Sequence, residues 1–373
     1  MTNPTTTMTE IRDLSSPGEI LQEALEERGM SSAELARRTE MSEKHVSQLV
    51  NGKVPLSMDV AFKLEQVLRI PASLWLSLES NYRAEQKRAA HRENLKTYAD
   101  WMRQFPVREM VRCQYLPDVG TDVGARVDAL LTFFGVTSEE AWAREWKHAK
   151  GRFRKSLKFA PDHPALTAWL RRGEIEAQSV RCAPFDADRF RKSLDEARKL
   201  TTEPPDVFQP RLRDLCAASG VAFTLVPALP KLAISGVTRW LGPEKAVISL
   251  SLRHKSDDQL WFSFFHEACH VLEHKTSAIY IDAIGDTDGD PDERRANQFA
   301  CDTLIPREDY ERIEKHYPLT LEHIQAFAQE IGVSPGIVVG RLQHDRKLKP
   351  SHGNKLKMWF KWEFECGHSS ELP

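Results

Sequence analysis

The amino-acid sequence predicts a mainly α-helical protein with a smaller α+β part towards its C-terminus. Apolar residues recur at helical spacing through most of the first half of the chain. Runs typical of β-strands lie together beyond it, separated by prolines and glycines that favour turns; they are 221–226, 234–240 and 246–252. A chain of 373 residues is long enough for two or three domains, so each part can bury a core of its own.

The charges of the chain nearly cancel, with 52 lysines and arginines against 54 aspartates and glutamates. This balance excludes a histone-like protein that binds nucleic acid through net charge, so any DNA binding has to come from a local surface. The six cysteines form no CxxC pair, which is typical of reduced thiols. No apolar run reaches the roughly 18 residues of a membrane span, and the N-terminus lacks the pattern of a secretory signal. We therefore expect a cytoplasmic protein that does not bind membranes.

The N-terminal part of the chain is expected to contain a small helical domain. Residues 1–16 are rich in threonine and have little to bury, which predicts a disordered N-terminus. Five short helices are predicted over 17–78, because apolar residues recur there at helical spacing between capping residues. Ser31 and Ser42 are placed to cap the second and third helices, and Pro71 stands where the fifth begins.

The segment 31–52, SSAELARRTEMSEKHVSQLVNG, is typical of a helix-turn-helix, in which the second helix presents its N-terminal side chains to the major groove of DNA. A plain helical bundle with a polar face has the same spacing and is the alternative interpretation. Ala36 is small where the two helices approach, and Val46 and Leu49 anchor the reading helix from beneath. The side chains predicted to face base edges are Glu43, Lys44, His45, Ser47 and Gln48. Those placed for phosphates are Ser32, Arg37, Arg38 and Lys53.

A family resemblance supports the helix-turn-helix interpretation. Residues 17–78 resemble the Cro/C1-type (XRE) helix-turn-helix, which has a lambda-repressor-like fold, and SPGEILQEALEERGMS with NGKVPLSMDVAFKLEQVL resembles its HigA-type antitoxin branch. The resemblance implies binding to double-stranded operator DNA. One short reading helix contacts few bases, so a homodimer on an inverted repeat is expected. Glu43 is acidic where a donor is easier to understand, so the operator sequence is not predicted.

The rest of the chain is divided by composition. The polar segment 79–98 is predicted to be an exposed helical linker, and 99–200 a helical middle region. Three prolines between 201 and 210 predict a domain boundary. The next domain is expected over 211–350, followed by a tail at 351–373. Within that domain we expect the three strands, a buried helix from about Asp257, an acidic loop and then helices at about 293–304, 320–331 and 335–345.

The buried helix carries an HExxH motif, His266-Glu267-Ala268-Cys269-His270, within the apolar segment LWFSFFHEACHVLEH. Histidines at i and i+4 lie on one helix face about 6 Å apart along the axis, so both imidazoles can reach one tetrahedral Zn2+ ion. Glu267 then projects beside the metal, where it can take a proton as general base. A buried helix otherwise has little use for three ionisable residues in five positions.

A third protein ligand is expected, because catalytic zinc usually has three and keeps one position open. His274 lies about 12 Å along the helix axis from His266, which is too far to share the metal. Glu293 opens the next helix and is the better candidate, since a separate helix can bring its carboxylate over the histidine pair. Asp292 is the local alternative.

The segments FFHEACHVLEH, ERRANQFACDTLIP and GVSPGIVVGRLQHD, within about 215–345, resemble the ImmA/IrrE family of metallopeptidases. The resemblance implies that His266, His270 and Glu293 are zinc ligands and that Glu267 is the general base. It implies a small zincin-like α+β domain whose three strands pack on the HExxH helix. Because members of the family cleave helix-turn-helix repressors, it also implies a peptide substrate. The sequence does not choose among candidate oxyanion donors, which are Tyr280, Arg294 and Asn297.

Two functions of different classes fit these patterns. The first is a transcriptional regulator with a zinc-dependent endopeptidase that cleaves itself or a partner helix-turn-helix repressor. The second is a HigA-like antitoxin or repressor whose C-terminal domain binds a cognate toxin, peptide or ligand without catalysis. The intact HExxH motif favours the first.

Overall fold

The computed structural model describes residues 16–150, 163–273, 280–283, 291–315 and 319–362. The chain divides into two compact units, one ending at Thr97 and the other beginning at Tyr98. The described residues are mostly helical and include one small sheet, which confirms the predicted fold class. None of the described helices is both long and apolar enough to cross a membrane. Of the predicted disordered N-terminus at 1–16, residues 1–15 lie outside the described part, whereas Ser16 caps the first helix.

The first unit contains the five predicted helices. They are α1 (Pro17–Glu27), α2 (Ser32–Thr39), α3 (Glu43–Val50), α4 (Met58–Leu68) and α5 (Ala72–Leu95). Each of the first four begins after a serine whose hydroxyl accepts a hydrogen bond from a backbone N–H three residues on, as at Ser31 and Ser42. Their apolar faces meet in one core around Leu35, Val46 and Trp75, all fully buried.

The fifth helix is longer than predicted. It runs to Leu95, so most of the expected linker at 79–98 is the second half of α5, and residues 96–98 form a 3-10 turn. The polar composition of this stretch agrees with its exposure to solvent, because only Leu95 is buried among its described side chains. A helix that is polar on most sides carries no sequence signal of where α5 ends.

The second unit begins with helices that precede the sheet. They are α6 (Ala99–Met102), α7 (Val107–Arg112), α8 (Val123–Phe134), α9 (Glu139–Lys150), α10 (His163–Ser179), α11 (Ala187–Lys199) and α12 (Pro205–Ala218). The later helices of this unit are α13 (Asp257–Glu273), α14 (Pro291–Leu304), α15 (Arg307–Glu314), α16 (Leu321–Ile331) and α17 (Pro335–His344). The helix α15 was not predicted.

The sheet has four described strands rather than the three predicted. They are β1 (Val221–Leu225), β2 (Ile234–Gly242), β3 (Lys245–Leu250) and β4 (Tyr280–Ala283), in the spatial order β1-β3-β2-β4. β1 pairs parallel with β3, whereas β2 is antiparallel to both of its neighbours. β4 is only four residues long and adjoins the acidic segment, so it is too short to be recognised as a strand from the sequence.

The predicted boundary at 201–210 differs from the structure. Leu200 and Phe208 are each 1% exposed and belong to the same apolar core as Phe223 of β1 and Phe264 of α13. The prolines at 204 and 205 occupy the cap and the first position of α12, where a missing N–H costs nothing. They begin a helix within the domain instead of separating two domains.

The middle region is tied to the sheet by buried hydrogen bonds. Trp169 of α10 donates from Nε1 to the Val226 carbonyl oxygen at 3.0 Å, and the Tyr115 hydroxyl donates to the Pro227 carbonyl oxygen at 2.6 Å. Both acceptors directly follow β1. Residues 98–362, where described, therefore form one unit instead of the predicted middle region and separate C-terminal domain.

Two further predictions need correction. The tail expected at 351–373 is ordered up to residue 362, because Phe360 is buried in the core and Trp359 forms a β-bridge with Ser256; residues 363–373 lie outside the described part. The expectation of reduced cysteines holds for Cys182, Cys216, Cys269 and Cys301, which are free. Cys113, by contrast, is disulfide-bonded.

Candidate functional site

The HExxH motif lies in the middle of α13, which packs against β2 and β3 on one side and against α14 and α17 on others. His266 and His270 are 2% and 1% exposed, so both imidazoles are withdrawn from solvent. Their i, i+4 spacing brings the ring centroids to 4.8 Å and the two Nε2 atoms to 3.1 Å. Two facing imidazole nitrogens at this separation can share one cation.

Glu293 completes the group from the first turn of α14. Its Oε2 lies 3.2 Å from His266 Nε2, and its Oε1 lies 3.6 Å from His270 Nε2. One ligand atom from each of the three buried residues lies within 4.8 Å of the others. The structure therefore brings Glu293, rather than Asp292, to the two histidines. Asp292 instead lies 3.4 Å from the Arg295 guanidinium, and His274 is outside the described residues.

The three side chains fit a tetrahedral metal ion. Two nitrogens that are each about 2.05 Å from a tetrahedral ion stand about 3.3 Å apart, and the observed separations of 3.1, 3.2 and 3.6 Å bracket this value. Two imidazoles and one carboxylate make a three-ligand set that leaves a fourth position for water or substrate. The donor set is thus a candidate metal centre of the open kind.

Asn297 contacts the first of the three candidate ligands. It lies one helical turn after Glu293, and its Oδ1 is 2.9 Å from His266 Nδ1. With the proton on Nδ1, His266 donates to this oxygen and presents the Nε2 lone pair towards Glu293 and His270. Asn297 was only an oxyanion candidate from the sequence. Its i+4 spacing from Glu293 was the signal that places it behind the ligand.

The other two oxyanion candidates are not brought to the histidines by described contacts. Arg294 is exposed on the outer face of α14, and the side chain of Tyr280 lies outside the described part. No oxyanion donor is assigned.

Glu267 is completely buried beneath β2. The Thr238 hydroxyl lies 2.6 Å from Glu267 Oε2 and 3.0 Å from the Glu267 carbonyl oxygen, so its single proton can be donated to either. A Cβ added to Gly236 would stand 2.7 Å from Glu267 Oε1 and 2.9 Å from its Cγ. Gly236 therefore leaves the space that the carboxylate occupies, and Thr238 restrains its rotation.

Sequence reasoning missed both strand residues. Their contacts cross from β2 to α13 and have no local spacing. A glycine inside a β-rich run was the available signal, because such a glycine often marks close approach of another group.

On the helix-turn-helix surface, in contrast to the group around His266, the predicted functional side chains are not buried. Ala36 of α2 and Val46 and Leu49 of α3 are buried in the core of the first unit. A Cβ on Gly18 would stand 2.1 Å from the Val50 carbonyl oxygen, so α1 approaches α3 closely. The predicted contact residues lie outward. Those that are exposed are Arg37, Arg38, Glu43, Lys44, Ser47 and Lys53. Those that are half-buried are Ser32, His45 and Gln48. Arg38 is already paired with Glu34 at 2.5 Å.

The fold and the two sites define a helix-turn-helix regulator that carries a second, metallopeptidase-like unit. The helix-turn-helix family (HTH_3) matches residues 21–75, and the IrrE N-terminal-like domain (Peptidase_M78) matches residues 233–343. The uncharacterized HTH-type transcriptional regulator YddM of Escherichia coli strain K12 is 38% identical over 64 residues, which are 17% of this chain and 68% of that protein. The chain belongs to the HTH-type transcriptional regulators, and the predicted combination with an ImmA/IrrE-type domain is confirmed.

Two solved structures are similar to part of the chain. The Pseudomonas aeruginosa antitoxin HigA with the higBA promoter is 33% identical, with coverage of 21% of this chain and 88% of that one and a TM-score of 0.21. An addiction module antidote protein of a HigA family from Coxiella burnetii is 24% identical, with coverage of 22% and 91% and a TM-score of 0.21.

Proposed function

We propose that this regulator binds double-stranded operator DNA through its first unit and hydrolyses a peptide bond with its second, cleaving itself or a partner helix-turn-helix repressor. The observation that carries the catalytic part is the buried group His266, His270 and Glu293, with the buried Glu267 next to His266 in the sequence of α13. Three ionisable side chains buried together are costly unless they bind a metal or perform chemistry.

Zn2+ is the metal we propose for the three ligands, because their separations suit a tetrahedral ion. When bound, zinc supplies Lewis-acid chemistry at the scissile carbonyl and lowers the pKa of a nearby water. His266 and His270 would hold it through Nε2, and Asn297 would keep the His266 proton on Nδ1. Glu293 contributes the single negative charge of the ligand set.

Glu267 acts as the general base. It neighbours His266 on α13 and is absent from the three-ligand group, so its carboxylate can take a proton from the attacking water and pass it to the departing amine. Thr238 holds one carboxylate oxygen in place during this transfer. A carboxylate that is already held in the reactive rotamer loses little conformational entropy when it accepts the proton.

A peptide is the substrate class that the sheet suits. β4 lies at the edge of the described sheet, next to the β2 strand that carries Thr238. An extended peptide can add to such an edge through main-chain hydrogen bonds. Cleavage of the chain's own segment 79–98 also requires local unfolding. Residues up to Leu95 are helical, so α5 has to unwind before this segment can lie extended.

The first unit is proposed to act in the cytoplasm as a homodimer on an inverted repeat, with α3 in the major groove. The exposed Lys44 and the half-buried Gln48 stand on the outward side of α3, while Arg37 extends from α2. If the second unit cleaves a repressor, its activity would be linked to the DNA binding of the first unit through the cleaved repressor.

The test uses the full-length chain incubated with Zn2+ and the helix-turn-helix proteins encoded next to it, with fragments identified by mass spectrometry. Wild type is expected to yield defined fragments, and Glu267→Gln none, although it retains zinc and DNA binding. Glu273→Gln on the same helix is the matched control and should cleave as wild type does. Identical fragments from wild type and Glu267→Gln, or none from either, would favour a non-catalytic C-terminal unit that binds a toxin or another ligand.

A further inference from the structure

A cavity of about 380 Å³ lies between α7, α8 and the segment that connects them. Its apolar walls include Val107 and Val111, one helical turn apart on α7, together with Leu116 of the connecting segment and Ala129 of α8. The volume falls within the range of about 300–1,000 Å³ that is typical of small-molecule sites. The cavity is therefore large enough for an organic molecule with an apolar body.

The cavity lies apart from the residues of both proposed activities. Its lining residues fall within 107–129, before the first strand of the sheet, whereas the candidate metal ligands are on α13 and α14. The helix-turn-helix belongs to the other compact unit. A ligand bound in this cavity would contact neither site, so its binding does not rest on the proposed function.

Arg126 brings a guanidinium to the cavity from α8. Its Nε donates to the Gly120 carbonyl oxygen at 2.7 Å, and Gly120 is itself part of the lining. Its two Nη atoms have no hydrogen-bond partner in the described part of the chain, and both remain open to solvent although the side chain is half-buried. The bond to Gly120 thus fixes the guanidinium beside the connecting segment and leaves two N–H groups for another acceptor.

The charged side chains of the lining carry one net positive charge. They are Arg126, Arg108 of α7 and Asp118 of the connecting segment, whose Oδ1 accepts a hydrogen bond from the Gly120 N–H at 3.0 Å. None of the three forms an ion pair with a residue that the structure describes. Two positive charges against one negative charge favour a ligand with a single negative charge.

A carboxylate is the anionic group that suits this lining. Its two oxygens can accept parallel hydrogen bonds from the planar guanidinium of Arg126. A phosphate monoester, by contrast, carries a charge of about −1.5 to −2 at neutral pH, which is more than the lining neutralises. The apolar walls require that the rest of the ligand be uncharged, because a second charge there would lose its hydration without a partner.

We propose that this cavity binds a small carboxylic acid with an apolar body, as its monoanion. The carboxylate accepts hydrogen bonds from the two Nη atoms of Arg126, with Arg108 as the second positive charge. The apolar body packs against Val111, Leu116 and Ala129, and so contacts α7, the connecting segment and α8 together. Arg126 and Ala129 are three residues apart and share one face of α8, which places the anchor beside the apolar wall.

The experiment is isothermal titration calorimetry of the full-length protein with 4-phenylbutanoate as the probe. One molecule is expected to bind per chain. The alcohol 4-phenylbutan-1-ol keeps the apolar body without the charge, and 4-phenylbutylamine reverses the charge. Each is expected to bind about tenfold more weakly or worse, because the charge-assisted hydrogen bonds are lost. Inorganic phosphate should not displace the probe.

Three results would overturn the proposal. They are the absence of 4-phenylbutanoate binding, an alcohol or amine that binds as tightly as the acid, and displacement of the acid by inorganic phosphate. The last result would indicate an anion site that does not use the apolar walls. Loss of peptidase activity would leave all of these titrations unaffected.

A matched pair of arginine variants tests the anchor. Arg126→Gln should weaken binding of 4-phenylbutanoate about tenfold or more. Arg213→Gln is the control, since Arg213 is an exposed arginine of α12 that does not line the cavity, and its loss changes the net charge equally. Equal affinities in the two variants would mean that Arg126 does not hold the carboxylate and would reject the assignment.

A second pair tests the apolar wall without changing any charge. Ala129→Leu places a larger side chain in the cavity and should weaken binding about tenfold or more. Ala125→Leu is one helical turn earlier on α8 and does not line the cavity, so it should bind as wild type does. Equal affinities in these two variants would place the ligand elsewhere. The two pairs alter different atoms, so a variant that fails to fold in one pair leaves the other pair as the test.

Discussion

The proposed reading surface of α3 and the candidate metal centre of α13 and α14 differ in where their polar residues lie. On α3 the functional side chains are outward, and the buried residues Val46 and Leu49 only support the helix. On α13 the functional side chains themselves are buried, with His266, His270 and Glu267 at 0–2% exposure. Exposed polar residues cost the fold little and can vary freely, whereas buried ones have to be held by specific neighbours. The metal centre should therefore be far less tolerant of change than the reading surface.

The largest effect is expected for Gly236→Ala. The new Cβ would lie 2.7 Å from Glu267 Oε1 and 2.8 Å from Leu250 Cδ2, so the strand or the carboxylate must move. We expect a loss of about 1–3 kcal/mol in the free energy of unfolding, together with loss of cleavage. Denaturant titration gives the first and fragment analysis the second.

Gly242→Ala is the control in the same strand, because nothing lies within 4 Å of its added Cβ. It should change stability by no more than about 0.5 kcal/mol. If both alanine variants unfold at the same denaturant concentration, the close packing described for β2 against Glu267 is wrong.

A smaller effect on cleavage is expected for Thr238→Val, which should slow the reaction instead of abolishing it; valine has nearly the same shape as threonine but lacks the hydroxyl. Glu267 Oε2 then loses a hydrogen bond of 2.6 Å, which should cost about 1–3 kcal/mol in stability. The cleavage rate constant should fall about tenfold or more, since a freely rotating carboxylate is a poorer base. Thr238→Ser restores the hydroxyl and should recover most of the rate. A valine variant as active as the serine variant would mean that Thr238 does not position the base.

The smallest effects on stability are expected for variants of the proposed reading surface. Lys44→Ala and Gln48→Ala should leave the folded state intact and relax sequence preference by about 1–3 kcal/mol per base contact. Arg37→Ala should instead weaken all sites equally and flatten the salt dependence by about one unit. Gel shifts on the operator and on unrelated DNA separate the two outcomes.

Lys87→Ala is the control, since this lysine is exposed and lies in the C-terminal half of α5, outside α2 and α3. Preserved specificity in both α3 variants would show that another helix reads the bases.

The two regions also differ in what sequence alone can predict. Helix caps and i, i+4 spacings are local, so the serines of the first unit and the pair His266 and His270 are recognisable in the sequence itself. The contacts of Thr238 and Gly236 with Glu267 join a strand to a helix about 30 residues away, and no local pattern records them.

The remaining differences have the same origin. Prolines that begin a helix and prolines that end a domain look alike in sequence, which is why the boundary at 201–210 was misplaced. The strand β4 pairs with β2 across a long sequence separation, and its four residues, three of them apolar, are too few to show the alternation of a strand. The disulfide at Cys113 likewise depends on proximity that spacing does not reveal.

The central claim is that His266, His270 and Glu293 form one zinc site, and elemental analysis of the purified chain tests it most directly. We predict about one zinc ion per chain in the wild type and in Glu267→Gln, and none in the double variant His266→Ala/His270→Ala. The double variant should still bind DNA, since the first unit has its own core. Full zinc occupancy in a folded double variant would contradict the site.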